Sequence, residues 1–384
     1  MNHPPTRSLG DLAEINPRGS RVSPDELVSF VGMADLDEVA ARNTAETPRR
    51  FGEVSKGYTP FQNGDLLAAK ITPCWQNGKV GEAVFTSAHG MGSTEFHVIR
   101  PGPDVDRRYL LHFLRTANVR DAGTLRMTGS GGQRRVPAKF MSDLPVPSLP
   151  LQEQRRIASI LDEADAIRAK RRSQLTHLDE LPQALFDQIG GEQQQPVRLN
   201  EVATFTGGGT LPEGEPFSNQ PEGTLLVKVS DMNRPGNSTF LQATSGWTEK
   251  KTPIGTTLDA GAVIFPKRGA AIATNKKRIT TRQSALDPNL MGVSPDQEKL
   301  LTDYLFHWFQ SFDLQSIASG STVPQLNKKD LAPLSIPLPP LREQHAFAEK
   351  VTAVRAERDH VARALEADEE LFAALQHRAF RGEL

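Results

Sequence analysis

A Pro-Leu-x-Glu-Gln segment occurs twice in this chain, each time at the head of a long charged stretch. The first copy is Pro150-Leu151-Gln152-Glu153-Gln154, and the second is Pro340-Leu341-Arg342-Glu343-Gln344, 190 positions further on. A repeat of that length is too long for a solenoid unit, so it reads as a duplicated module of one globular domain and one helix. After the shared head both stretches keep one register. Steps of four and three from Ile157 reach Leu161, Ala164, Arg168, Arg171, Leu175, Leu178, Pro182, Leu185 and Ile189. The same steps from Phe347 reach Val351, Val354, Arg358, Val361, Leu365, Asp368, Phe372, Leu375 and Ala379. A mostly apolar seam with charge elsewhere is the pattern of a coiled coil, and it makes each helix the natural partner of the other. The outer faces are then solvated or docked on another protein. Gly190-Gly191 supplies a helix stop, and Pro182 predicts a kink or an early end to the regular part of the first helix.

The 384 residues suffice for two or three domains with sizeable cores. No apolar run approaches membrane length, and the polar start Met1-Asn2-His3-Pro4-Pro5 does not read as a signal peptide. A single cysteine, Cys74, excludes an intrachain disulfide and a cysteine metal cluster, which suits a reducing cytoplasm. The net charge of −1 gives no global pull toward nucleic acid, so any such binding rests on local clusters.

The pattern assigns 1–147 to a first domain, 148–191 to a central helix, 192–337 to a second domain and 338–384 to a C-terminal helix. Both domains read as mixed α/β units of short elements broken by Gly and Pro. Their landmarks match in order. Leu199 to Ala203 answers Leu9 to Ala13, and Val227 to Met232 answers Val31 to Leu36. Gly261 to Lys267 answers Gly64 to Lys70, and a helix at Tyr304 to Phe309 answers Tyr109 to Leu114. Val323-Pro324 stands seven residues before Asp330-Leu331, as Val136-Pro137 stands seven before Asp143-Leu144, which pairs those stretches. Two copies of one fold have kept a scaffold and changed their loops.

Catalytic motifs are missing. Neither Gly129 to Gly132 nor Gly207-Gly208-Gly209 is followed by the Lys-Ser/Thr of a phosphate loop. Asp287-Pro288-Asn289-Leu290 lacks the second proline and the aromatic of an amino-methyltransferase loop, and the nine histidines form no ligand cluster. His112 and His307, at matched positions between apolar neighbours, read as scaffold. Binding chemistry remains. The first domain carries Lys70, then Gln133, Arg134 and Arg135 with Lys139. The second carries Lys267 and Arg268, then Lys276, Lys277 and Arg278, then Gln325, Asn327 and Lys328. Lysine and arginine on loops neutralise phosphates, while Arg, Gln and Asn pair with base edges in the major groove. For any one cluster taken alone an ordinary solvated surface is the better reading; recurrence at matching points before each proline-rich spacer shifts the balance towards DNA.

The doubled order of Val-Pro, Asp-Leu, proline-rich spacer, Leu-x-Glu-Gln and charged helix resembles the specificity subunit of type I restriction–modification systems. The lead-ins Gly129-Ser130-Gly131-Gly132-Gln133 and Ser319-Gly320-Ser321-Thr322 fit it as well, and the likeness covers essentially the whole chain. The resemblance implies two target-recognition domains of mixed α/β structure joined by two long helices that form an antiparallel coiled coil. Each domain would read one half of a split, asymmetric site on double-stranded DNA. The partners implied are two methyltransferase (modification) subunits, which bring S-adenosylmethionine and methylate adenine at N6, and up to two restriction subunits that use ATP. No cofactor and no catalysis fall to this chain, and no membrane is involved. The coiled-coil and docking residues would be Glu153, Gln154, Ile157, Leu161 and Leu175 with Glu343, Gln344, Phe347, Val351 and Leu365. One departure is that no helical segment precedes the first domain, so the coiled coil must come from the central and C-terminal helices alone. A self-sufficient DNA adenine methyltransferase and a coiled-coil scaffold that never touches DNA stay open as alternatives.

Overall fold

The computed structural model describes residues 4–189, 195–252, 254–320 and 323–384. The expected stop at Gly190-Gly191 and the Ser321-Thr322 pair lie outside them. The chain divides into two units, Met1–Gln174 with Val361–Leu384, and Leu175–His360. Each unit holds one globular domain and half of each long helix.

In the first unit, Thr6–Ser8 pairs antiparallel with Pro145–Pro147 and ties the two ends of the domain together. Between them stand two sheets. One has six strands in the order Ala13–Ile15, Phe96–Pro101, Leu66–Ala69, Val80–Glu82, Arg42–Asn43 and Leu36–Asp37. The other has four, in the order Thr47–Arg50, Leu27–Val31, Gly90–Gly92 and Thr59–Phe61. The strand Leu66–Ala69 is buried on both faces, which its unbroken apolar run anticipates. The second unit repeats the plan with a ribbon of Pro196–Arg198 on Ser335–Pro337 and two five-stranded sheets.

Recurring hydrogen bonds establish which residues correspond. Leu9 N donates to Leu144 O at 2.8 Å, and Leu199 N to Leu334 O at 2.8 Å. Tyr109 Oη reaches Pro147 O at 3.0 Å, and Tyr304 Oη reaches Pro337 O at 2.9 Å. Gly32 N donates to Asp35 Oδ2 at 2.7 Å, and Lys228 N to Asp231 Oδ2 at 2.9 Å. These agree with the landmark pairs read from the sequence, with one correction. Val136 N donates to Lys70 O, but it is Leu326 N, not Val323 N, that donates to Lys267 O, both at 2.8 Å. Leu144 N closes on Met141 O as Leu334 N closes on Leu331 O, so Leu331 answers Met141 and not Leu144. The true offset is three residues from the one the repeated Val-Pro suggested. Burial decides it: Val136 is 1% exposed and Leu326 0%, whereas Val323 is 51% exposed.

The central helix runs Leu151–Ile189 and the C-terminal helix Leu341–Ala379, 39 residues each. The first continues through Pro182 without the early end its sequence suggested; the proline gives up one N–H bond within the last turns. The two helices pair antiparallel. In the first unit Arg168 reaches Glu369 and Arg171 reaches Asp368. In the second Arg358 reaches Asp179 at 2.5 Å. The apolar parts of the seam lie toward the helix ends, where Ile157, Leu161, Phe372 and Ala379 join the first core and Phe347 and Val351 the second. Between them ion pairs mix with buried apolar positions: Val361 is buried at the centre of its helix, and the Arg168 guanidinium lies 4.0 Å over the Phe372 ring. Phe186, one residue off the expected seam at Leu185, is the more buried of the two and packs on Tyr304 with ring centroids 4.9 Å apart and the planes tilted by 48°. The helices pack on the domains as well as on each other, so a strict 3.5-residue seam does not hold there.

Candidate nucleic-acid interface

In both domains a buried strand ends in a lysine, and a later loop folds back onto that end. In the first, Leu66–Ala69 delivers Lys70, and the segment Thr128 to Val136 returns to it through main-chain bridges of Arg135 with Thr128 and Ile71. Gly131 and Gly132 take positive φ of 63° and 78°, which lets the loop reverse without strain. Thr72 locks it, since its hydroxyl donates to Gly132 O at 2.5 Å and accepts from Arg134 N at 3.2 Å. In the second, Val263–Pro266 delivers Lys267 and Arg268, and Gln325 bridges back to Arg268 and Ser319.

The structure therefore brings Lys70, Gln133, Arg134 and Arg135 together, and likewise Lys267, Arg268 and Gln325, with Asn327 and Lys328 following at once. Arg134, Arg268, Gln325 and Lys328 are exposed. Among the described residues Lys70, Arg134, Lys267, Arg268 and Lys328 form no ion pair. Burial pushes the Lys267 ammonium below its usual range, opposed by Asp287 and reinforced by Arg268. Arg135 is different. Its guanidinium grips Glu95 through contacts of 3.1, 2.9 and 2.7 Å, and this pairing holds the Glu95 carboxyl below the usual carboxylate range. Lys139 is exposed but paired with Asp143 at 2.8 Å, one helical turn on.

The Lys276-Lys277-Arg278 segment does not behave as an exposed basic cluster. Lys277 is 0% exposed, its ammonium bonded to Asn275 Oδ1 at 2.8 Å and Phe312 O at 3.1 Å. Burial pushes its pKa down to about 8 against the opposing charge of Asp313. Arg278 is committed to Met232 O at 2.9 Å and to the Lys277 carbonyl, and Lys276 is bonded to Asn233. Lys277 is thus a buried scaffold residue and leaves the list of phosphate ligands. Sequence reading passed over Thr72 and Glu95, which shape the first loop. It also passed over Arg18, which with Tyr58, His89 and Arg100 lines a cavity of about 230 Å³. The turn-rich segment around Arg18 has no periodicity to mark it.

The helix heads also need correction. Gln154 and Gln344 are 3% and 0% exposed and bind their own domains. Gln154 Oε1 accepts from Asp106 N at 2.8 Å, and its amide donates to Asp104 O and Leu149 O. Gln344 Oε1 accepts from Leu301 N at 2.8 Å, and its amide donates to Lys299 O and Pro339 O, each at 2.9 Å. Ile157, Leu161, Phe347 and Val351 are buried beside them, so none of these six side chains is available to a second subunit. Leu175, Leu365, Glu153 and Glu343 stay partly exposed, with Glu153 paired to Arg156 at 2.7 Å.

His307 predicts a pH dependence. The ring is 7% exposed, neither nitrogen has a partner, and burial, helped by Arg355, pushes its pKa down to about 4. The folded form stays neutral where an unfolded histidine of pKa about 6.5 takes up a proton. The stability this contributes is whole above about pH 6.5 and is lost as pH falls toward 4, about 2 kcal/mol by pH 5. Urea unfolding at pH 7 and pH 5 should show a smaller drop for His307→Leu than for the parent; equal drops would refute the assignment. Asp162 behaves otherwise: burial opposes its ionisation, yet bonds from His112 and Arg108 hold it at about 2, so its contribution persists to far lower pH.

Among the described residues no helix is long and apolar enough to cross a membrane, and no group of three or more His, Cys, Asp or Glu is placed to hold a metal ion. Two copies of one mixed α/β domain, each packed on its following helix and each carrying a basic loop at the end of a buried strand, define a duplicated protein with two corresponding candidate binding loops. Residues 5–177 and 192–364 both match the type I restriction modification DNA specificity domain, and the chain belongs to that family. It is 40% identical over 154 residues to the EcoAI specificity subunit of Escherichia coli, covering 39% of this chain and 26% of the relative. The EcoEI specificity subunit of the same organism gives 36% with the same coverage, so the chain spans about a quarter of these relatives. A putative type I specificity subunit from Methanocaldococcus jannaschii, MjaX, is 22% identical over 76% of this chain and 71% of its own. Two solved structures share the fold. One belongs to work on complex assembly and conformational transition of the type I R-M system, with a TM-score of 0.64, 17% identity and full coverage of both chains. The other is the S subunit of a type I system from M. genitalium, with a TM-score of 0.58, 13% identity and coverage of 98% and 95%.

Proposed function

We propose that this chain selects DNA for a type I restriction–modification complex and carries no catalysis of its own. The observation that carries this reading is the same strand-end cation loop built twice, at corresponding positions of two domains, from different side chains. Lys70 with Gln133 and Arg134 serves one half of the site; Lys267 and Arg268 with Gln325, Asn327 and Lys328 serves the other. Because the loops differ, the two words differ and the site is asymmetric. Each 39-residue helix is about 58 Å long at about 1.5 Å per residue, room for one to one and a half duplex turns between the words. Joining both readers in one chain makes the second encounter intramolecular, so modest half-site affinities multiply. Methyltransferase subunits dock on helix surfaces left free by the intrachain seats, and the complex works in the cytoplasm.

The test is the salt dependence of duplex binding by the full chain with its methyltransferase subunits. Arg134→Ala and Arg268→Ala are each expected to flatten the slope of log K against log salt by about 1. Lys277→Met, at a buried position, is expected to leave the slope unchanged. Unchanged slopes for Arg134→Ala and Arg268→Ala would remove these loops from the interface.

A further inference from the structure

Each domain rests on its following helix through one short helix, Arg107–Leu114 in the first copy and Thr302–Gln310 in the second. The apolar part of this seat is common to both, since Tyr109 answers Tyr304, Ile157 answers Phe347 and Leu161 answers Val351. The polar part is not. In the first copy the groups that meet across the seat are basic on the domain side and acidic on the helix side, with Glu82 of the domain also 3.6 Å from Arg108 and Arg168 of the helix also 2.7 Å from Asp165. Arg108 reaches Asp162 at 2.5 Å, His112 Nε2 reaches the same carboxylate at 2.7 Å, and Arg115 reaches Asp165 at 2.9 Å. In the second copy Asp303 stands where Arg108 stood and Gln310 where Arg115 stood. Thr352 replaces Asp162, and Arg355 replaces Asp165. Arg355 reaches Asp303 at 2.7 Å, an ion pair of opposite polarity, and His307 has lost the acid that His112 binds.

We infer that this reversal is a pairing code: each domain accepts the helix of its own copy and rejects the helix of the other. A first-type domain placed on the second helix would set Arg108 and Arg115 against Arg355 and leave His112 without its carboxylate. A second-type domain on the first helix would set Asp303 against Asp162 and Asp165. Like charges at a partly buried seat oppose docking, while the shared apolar contacts cannot tell the copies apart. The two positions are therefore not interchangeable despite their common fold. A domain moved between them, or a second copy of this chain exchanging a domain, fits only at the matching position. The inference concerns assembly of the chain and does not depend on its reading of DNA.

Transplanting the code tests this in the full chain. The domain-side change Arg108→Asp with Arg115→Gln, and the helix-side change Asp162→Thr with Asp165→Arg, should each lower the thermal midpoint by about 5 °C or more. All four together rebuild the second copy's polarity in the first and should recover at least half of the larger loss. The second copy supplies an independent pair: Asp303→Arg and Arg355→Asp should each destabilise, and their combination should recover. Losses that simply add in either copy, or single-sided changes without effect, would overturn the code.

Discussion

Replacing Gln344 by Leu is expected to lower the thermal midpoint of the full chain by about 10 °C. Gln344 sits at the point where the C-terminal helix meets the second domain, fully buried, with three hydrogen bonds to main-chain groups. Leucine fills a similar volume but leaves Leu301 N, Lys299 O and Pro339 O without that partner. An unsatisfied buried polar group costs about 1–3 kcal/mol, so the three together cost at least about 3 kcal/mol. In a unit of this size each kcal/mol is worth about 2–4 °C. Gln344→Glu separates hydrogen bonding from packing: a carboxylate still accepts from Leu301 N but repels the two carbonyls. It should therefore fall well below the parent too. Gln154→Leu is expected to act alike in the first unit, where Asp106 N, Asp104 O and Leu149 O lose their partner. Unchanged midpoints by circular dichroism would show that these glutamines do not anchor the helices.

Adding one heptad to both long helices at facing points is expected to widen the gap between the two DNA words by about three base pairs and leave the words unaltered. The antiparallel pairs Arg168–Glu369 and Arg171–Asp368 place Arg172 opposite the turn around Leu365. The insertions therefore belong after Arg172 and after Ala364. Seven residues add about 10.5 Å of helix and keep the apolar seam in phase, and the same length of duplex is about three base pairs. A heptad in the central helix alone would shift Arg168 and Asp179 relative to each other against fixed partners, so that variant should lose stability rather than change its gap. Mapping N6-methyladenine in cells that express each variant with the methyltransferase subunit reads the outcome. Altered words at an unchanged gap would contradict the ruler.

Much of this architecture was legible because two copies of a pattern constrain each other. The repeated helix heads gave the duplication, the four-three stepping gave the paired helices, and landmarks such as Tyr109 with Tyr304 survived to the level of one hydrogen bond. The misses have physical causes. Gln154 and Gln344 look like solvated residues in a charged stretch, yet they lie one step before Ile157 and Phe347 on the same helix face. Extending the seam backwards by three residues would have placed them inside. Lys277 sits in a basic run whose composition says nothing of depth; its burial depends on Asn275 and on Phe312, which is distant in sequence. Val323-Pro324 copies the spelling of Val136-Pro137 but not its place, because main-chain pairing and burial fix the register and a dipeptide does not. Arg135 shares its loop with Arg134, but Glu95, which occupies it, comes from the turn before the strand Phe96–Pro101 and left no mark in the local sequence.

In the proposed function two different readers act on one piece of DNA at a fixed separation. The most direct measurement is the methylome of a host that expresses the unaltered chain with its methyltransferase subunit. The expected result is one split motif, two unlike short words flanking an unread gap of constant length, with both words required. A continuous motif, a palindromic one, or methylation unchanged when the chain is left out would contradict it.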